Sequence, residues 1–363
     1  MRRSHLAVTA ASFLLLTACA GSGSTTPTPA PATPAPATPA GAATTTACAT
    51  VAPTLERWPT PGQASATGDL IPLIASSQIA AGPARILFTL IDSKNALLAG
   101  ADVPVVASVY DLAADPAQPV VSVDAPFIDP GTGRGLYRVN AELTHEGDWG
   151  LEVQATIDGC IVASRAIFSV LEAGSVPSIG AEAPRSDSPT GTTPDEIARI
   201  STDDDPDPDF YSTSIAEAVG SGRPSAILFA TPQFCQTAAC GPMLDVLKGI
   251  AAEYKDQVTF VNVEPYRLRE TPQGLQPDLD ADGHLQPVQS VLEWGLPTEP
   301  WLFIVDADGR VFASFEGMLG EDEVRAALAD VVAQSGGSVT SPAPAASPAA
   351  SSAPLDSPEP AAS

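Results

Sequence analysis

Between residues 83 and 172 the chain alternates apolar and polar positions with a period of two. Trp149, Leu151, Val153, Ala155 and Ile157 alternate with Gly150, Glu152, Gln154 and Thr156, and Val162, Ala166, Phe168 and Val170 resume the pattern after Asp158-Gly159. Successive side chains on a strand point to opposite faces, so these runs predict half-buried strands joined by a type I′ hairpin. Tyr137 to Leu143, Ile86 to Asp92, Val103 to Leu112 and Val120 to Ile128 supply further strands. At least six short strands over about 100 residues predict an antiparallel β-sandwich.

From Tyr211 the pattern changes to alternating strand and helix. Ser225 to Phe229 is a continuous apolar run suited to a central parallel strand, and Met243, Leu244, Leu247, Ile250 and Ala251 recur at helical spacing over Ala239 to Tyr254. Val258 to Val263 is a second strand, completing a βαβ unit. Val288 to Trp294 then predicts a short helix, Trp301 to Val305 a strand, Asp306 to Gly309 a turn, Arg310 to Phe315 a hairpin partner and Glu321 to Val332 a last helix. The expected fold is therefore multidomain, all-β at the N-terminal side and α/β at the C-terminal side.

The rest is not patterned for burial. Arg2-Arg3 and the apolar run Leu6 to Leu16 read as an export signal over residues 1–18, too short to be a comfortable membrane span. Residues 19–47 are rich in Pro, Ala and Thr and read as an extended stalk, and 336–363 as a similar tail. The sandwich is assigned to 48–175, an acidic, proline-rich linker to 176–210, and the α/β domain to 211–335. A net charge of -26 argues against nucleic acid as a partner, because a phosphate backbone would be repelled. With only His5, His145 and His284, imidazole-based zinc or copper sites are short of ligands, and no resident cofactor is expected.

The candidate chemistry sits after the first α/β strand. A buried strand that breaks at Pro232 and delivers Cys235 toward a helix start places a thiol where unpaired amides and the helix dipole stabilise a thiolate. Cys235 is the candidate nucleophile and Cys240, four intervening residues on, the candidate resolving thiol. Cys48 stands at the start of the sandwich segment, ahead of its patterned strands, and Cys160 opens a strand, so in an oxidising compartment the two form a candidate structural pair. Asp278, Asp280 and Asp282 have the alternating oxygens of a calcium loop, but Gln289 stands where a bidentate Glu is expected, and an acidic surface loop is the preferred reading.

Leu16-Thr17-Ala18-Cys19 resembles the bacterial lipobox, which implies that Cys19 is acylated and anchors the exported chain to the bacterial membrane. Glu146-Gly-Asp-Trp-Gly-Leu-Glu-Val153 resembles the penultimate hairpin of small immunoglobulin-like domains of the YtkA, FixH and CopC kind. Some of those handle copper through histidines and methionines; here His145 is the domain's single imidazole and methionine is absent, so copper binding is not implied. The element order over 211–335, with Trp294-Gly-Leu-Pro-Thr-Glu-Pro300-Trp-Leu-Phe-Ile-Val-Asp-Ala-Asp-Gly309, resembles the thioredoxin superfamily. That resemblance implies a cis peptide at Pro300 opposite the reactive cysteine, with the backbone of Glu299 as a docking edge for an extended substrate.

The departures narrow the reading. Thioredoxins separate their cysteines by two residues, this chain by four; Cys240-Gly-Pro-Met243 looks like their motif with the last thiol lost. Thr231-Pro232 is similar to the Thr-Pro of monomeric peroxiredoxins, but Pro300 stands where their Arg would fall, and a copper chaperone of the Sco type would need a His between Leu285 and Val305. Two classes remain open. One is an extracytoplasmic thiol-disulfide oxidoreductase acting on protein thiols and disulfides in the cell envelope; the other is a non-catalytic module in which a Cys235–Cys240 bond is a structural staple.

Overall fold

A computed structural model describes residues 54–336, apart from 56, 130 and 132. The expected signal peptide, stalk and tail fall outside the described residues, as do Cys19 and Cys48.

Among the described residues, nine strands precede the first helix: β1 (Ala64–Ala66), β2 (Ile71–Ile74), β3 (Gly82–Ile91), β4 (Val105–Asp111), β5 (Pro119–Asp124), β6 (Phe127–Ile128), β7 (Leu136–Leu143), β8 (Gly147–Ile157) and β9 (Cys160–Val170). They form two antiparallel sheets, ordered β2-β3-β7-β6 and β1-β9-β8-β4-β5. The apolar members of the alternating runs meet between the sheets, Phe88, Tyr137 and Val139 from one packing with Val109, Trp149, Leu151 and Phe168 from the other. This all-β architecture is consistent with the expected immunoglobulin-like class. The β8–β9 hairpin closes at Asp158 (φ 51°) and Gly159 (φ 78°), the pair of left-handed residues that a type I′ turn requires.

One predicted strand divides. Val120 to Ile128 becomes β5, paired with β4, and β6, paired with β7 in the opposite sheet. Ala125-Pro126 lies at the switch, where proline has no N–H to extend a ladder and its carbonyl instead accepts the Arg138 N–H at 3.1 Å.

The second body contains α1 (Pro194–Ile197), α2 (Ile215–Gly220), β10 (Ser225–Phe229), α3 (Cys240–Tyr254), β11 (Thr259–Val263), β12 (Leu268–Thr271), β13 (Gly274–Pro277), α4 (Gln289–Glu293), β14 (Trp301–Val305), β15 (Val311–Glu316) and α5 (Glu321–Gln334). Its main sheet is ordered β11-β10-β14-β15, with β10 parallel to β11 and antiparallel to β14. The β10 side chains divide between two apolar cores. Ala226 and Leu228 pack with Leu244 and Leu247 of α3 and Leu328 of α5, whereas Ile227 and Phe229 pack with Ile215 and Val219 of α2 and Val291 of α4. A strand covered on both faces must be apolar at every position, which is why Ser225 to Phe229 shows no alternation.

The stretch expected as a linker packs along this body. Gly180 and Ala183 donate to the carbonyls of Val311 and Gly309 at 2.7 and 2.9 Å, and α1, closed by a capping box of Thr193 and Glu196, buries Ile197 beside α3. Its acidic run is tied down by Lys248, whose Nζ donates to Asp203 Oδ2 at 2.9 Å.

The sandwich and the second body meet through a buried ionic clasp. Arg85 of β3 donates from Nε to Glu323 Oε2 at 2.8 Å and from Nη2 to Oε1 at 2.6 Å, and Arg138 of β7 donates to the same carboxylate. Ser175 Oγ donates to the Gly295 carbonyl at 2.6 Å, and a side chain at Gly295 would collide with the Ser175 carbonyl. Beside the clasp lies a cleft of about 990 Å³ lined by Ile79, Phe312 and Phe315 among others.

Candidate functional site

The site is assembled where β10 and β11 end. Parallel neighbours finish at the same sheet edge, so the residues after Phe229 and after Val263 are brought together. Ala230 donates to the Val263 carbonyl at 3.1 Å, Thr231 is buried, and the chain turns through Pro232 to Cys235.

Cys235 and Cys240 form a disulfide, with Cα atoms 5.9 Å apart. The two sulfurs are not equivalent. Cys240 is the first residue of α3 and has no exposed surface, whereas Cys235 is half-buried at the rim of the core. The Cys240 backbone N–H, one of the amides left without an intrahelical partner at a helix start, donates to Cys235 Sγ at 3.2 Å. Thr237 Oγ1 lies 3.3 Å from the same sulfur. Of the two cysteines, Cys235 is the one that retains exposure to solvent.

The peptide Glu299–Pro300 is cis, and Glu299 is buried at 6% exposure directly against the disulfide loop. Its carboxylate accepts the Gln236 N–H at 2.8 Å on Oε1 and the Tyr266 hydroxyl at 2.7 Å on Oε2. Gln236 Nε2 donates to Tyr266 at 2.8 Å, closing a three-residue ring of hydrogen bonds. The Tyr266 phenol is pushed well above its ordinary range by burial and by the neighbouring Glu299 carboxylate. The Glu299 carbonyl, the expected docking edge, accepts the Thr237 hydroxyl at 3.0 Å. In the disulfide form the protein's own loop occupies that edge.

A second polar cluster lies behind the loop. Glu264, 5% exposed, receives the Thr202 N–H at 2.7 Å and the Thr202 hydroxyl at 2.6 Å on Oε1, while Oε2 has no hydrogen-bond partner among the described residues. Burial pushes this carboxyl above its ordinary value despite those donors. Thr202 Oγ1 also accepts the Gln233 N–H at 3.2 Å, linking the cluster to the cysteine loop.

Of the sequence-predicted residues, the fold brings together Cys235, Cys240, Glu299 and Pro300. Cys160 lies in the sandwich at the start of β9, away from this site. The calcium-loop candidates are engaged otherwise: Asp278 pairs with Arg269 at 3.1 Å, and Asp280 accepts the N–H groups of Asp282 and His284 at 2.9 Å each. Asp280, Asp282 and His284 are close enough to share an ion but are all exposed. Sequence reasoning missed Gln236, Thr237, Tyr266, Glu264 and Thr202. Glu264 and Tyr266 had a usable signal, since they follow a strand expected to lie parallel to the one that delivers Cys235.

No protein-family model and no curated protein matches the chain. Among solved structures it is similar to the soluble domain of PmoD from Methylocystis sp. ATCC 49242 (Rockwell), with 14% identity over 28% of this chain and 90% of that one and a TM-score of 0.20. It is also similar to MtrC from Shewanella baltica OS185, with 15% identity over 40% of this chain and 28% of that one and a TM-score of 0.21. Likenesses this slight carry no argument about activity. Among the described residues no helix is long and apolar enough to cross a membrane.

Proposed function

We propose that this chain is an exported, lipid-anchored protein whose thioredoxin-like C-terminal unit exchanges disulfides with protein partners through Cys235 and Cys240. The observation that carries the reading is the asymmetry of the disulfide: a half-buried sulfur facing a helix-start amide at 3.2 Å, bonded to a wholly buried one. In the dithiol form the Cys235 thiolate attacks one sulfur of a partner disulfide. The partner S–S bond breaks, its other sulfur leaves as a thiolate and takes a proton, and a mixed disulfide forms. The Cys240 thiolate then attacks Cys235 Sγ, restoring the intramolecular bond and releasing the second partner thiol, so two electrons pass to the partner. The reverse sequence oxidises a partner dithiol. Cys19 supplies the membrane anchor, and the sandwich acts as a spacer or docking body.

The complete burial of Cys240 favours one competing reading, a structural staple. Cys240→Ser in cell envelopes separates the two. Exchange chemistry predicts a mixed disulfide that disappears on reduction. A couple poised far below about -300 mV, with no partner captured, establishes the staple.

A further inference from the structure

The Thr237 hydroxyl touches both the half-buried Cys235 sulfur and the Glu299 backbone. Its oxygen lies 3.3 Å from Cys235 Sγ and 3.0 Å from the Glu299 carbonyl, and it accepts the Ala239 N–H at 3.4 Å. A hydroxyl has one proton to donate. In the disulfide form that proton goes to the carbonyl, because a disulfide sulfur is a feeble acceptor. A thiolate carries a full charge, and hydrogen bonds to charged groups are roughly twice as strong as neutral ones. The Ala239 amide, adjacent to the helix start, polarises the hydroxyl and makes it a better donor.

We propose that Thr237 is a redox-responsive donor: when the Cys235–Cys240 bond opens, its hydroxyl turns from the Glu299 carbonyl to the Cys235 thiolate. The turn has two consequences. It supplies the thiolate with a second donor beside the Cys240 amide, lowering the pH at which Cys235 becomes nucleophilic. It also withdraws the Thr237 donor from the Glu299 carbonyl, so the acceptor beside the sulfur is more open to a partner's N–H in the dithiol form. A rotation about the Thr237 Cβ–Oγ1 bond performs the exchange as the two sulfurs separate. The inference rests on Cys235 being the attacking sulfur, and its test does not require a partner protein.

The test is the pH dependence of Cys235 alkylation by iodoacetamide in the full chain carrying Cys240→Ser, with the modified peptide identified by mass spectrometry. Adding Thr237→Val should raise the midpoint by about one pH unit, the equivalent of one hydrogen bond to a charged group, and Thr237→Ser should restore it. An unchanged midpoint in Thr237→Val, or a shift that Thr237→Ser fails to reverse, overturns the proposal. Thr237 is exposed, and circular dichroism confirms that each variant is folded; Thr237→Ala serves in place of Thr237→Val should the latter unfold. Failure of disulfide exchange with a shifted midpoint would overturn the activity but leave the hydroxyl's role standing; exchange with an unshifted midpoint would do the reverse.

Discussion

Two glutamates, each less than a tenth exposed or nearly so, behave in opposite ways in the two polar regions of the molecule. Glu323, whose side chain is 7% exposed, sits in the clasp between the sandwich and the second body. Burial opposes its charge, yet the hydrogen bonds and charges of Arg85 and Arg138 hold it below the ordinary carboxylate value. Glu264, behind the cysteine loop, meets hydroxyls and one amide but no cation, and burial pushes it up. Cationic partners turn one buried acid into a fastening; their absence leaves the other at a cost to stability. The clasp is built to hold two bodies together, and the cluster behind the disulfide carries a polar group that packing alone would have excluded.

The largest expected effect breaks the clasp. Glu323→Ala leaves Arg85 with little solvent and only backbone carbonyls, and Arg138 with only the exposed Asp322 at 3.9 Å, which should destabilise the chain by about 3–5 kcal/mol in urea melts at neutral pH. The sign with pH follows from the lowered value. The contribution of Glu323 is fully present above its unfolded value of 4.5 and is lost as pH falls through the folded value, so the gap between wild type and variant should close in acid.

Opening the disulfide should have a smaller effect. Cys235→Ser with Cys240→Ser releases a closed loop of sequence separation 5, worth about 2 kcal/mol from chain entropy. A loss near that size with the clasp intact would show that the second body folds without the bond; a loss as large as that of Glu323→Ala would make the bond a principal structural element.

Glu264→Gln should act in the opposite direction and least of all. It removes a buried charge whose Oε2 has no hydrogen-bond partner among the described residues, and should stabilise the chain by about 1 kcal/mol at neutral pH. A raised carboxyl contributes stability that is complete below the unfolded value of 4.5 and is lost as pH rises through the folded value. The stability advantage of Glu264→Gln should therefore vanish on acidification. If stability falls at neutral pH instead, the carboxylate is held by groups other than Thr202.

Much of this architecture is legible in the residues. The alternation around Trp149 and Phe168, the Asp158-Gly159 turn and the unbroken Ser225 to Phe229 run each follow from side-chain periodicity, which is a local property. The β12–β13 hairpin was not legible, because its residues are exposed or half-buried on both faces and no alternation marks them. Nor was the course of residues 176–210, whose many Asp and Pro positions hide the anchors Ala183, Ile197 and Phe210.

The site divides along the same line. Cys235 and Cys240 could be named from the chain, because a cysteine at a strand-to-helix turn is a matter of sequence order; Pro300 and Glu299 were implied by the resemblance to the thioredoxin superfamily. Which sulfur is buried, which atom of Glu299 receives Thr237, and that Tyr266 closes the ring depend on groups 30 to 63 residues apart meeting at one sheet edge. The clasp is more distant still, joining residues 238 positions apart with matching charges that no local pattern links. Periodicity records which face of an element is buried; only the packing of elements decides which polar groups are buried together, and that choice sets their protonation and their chemistry.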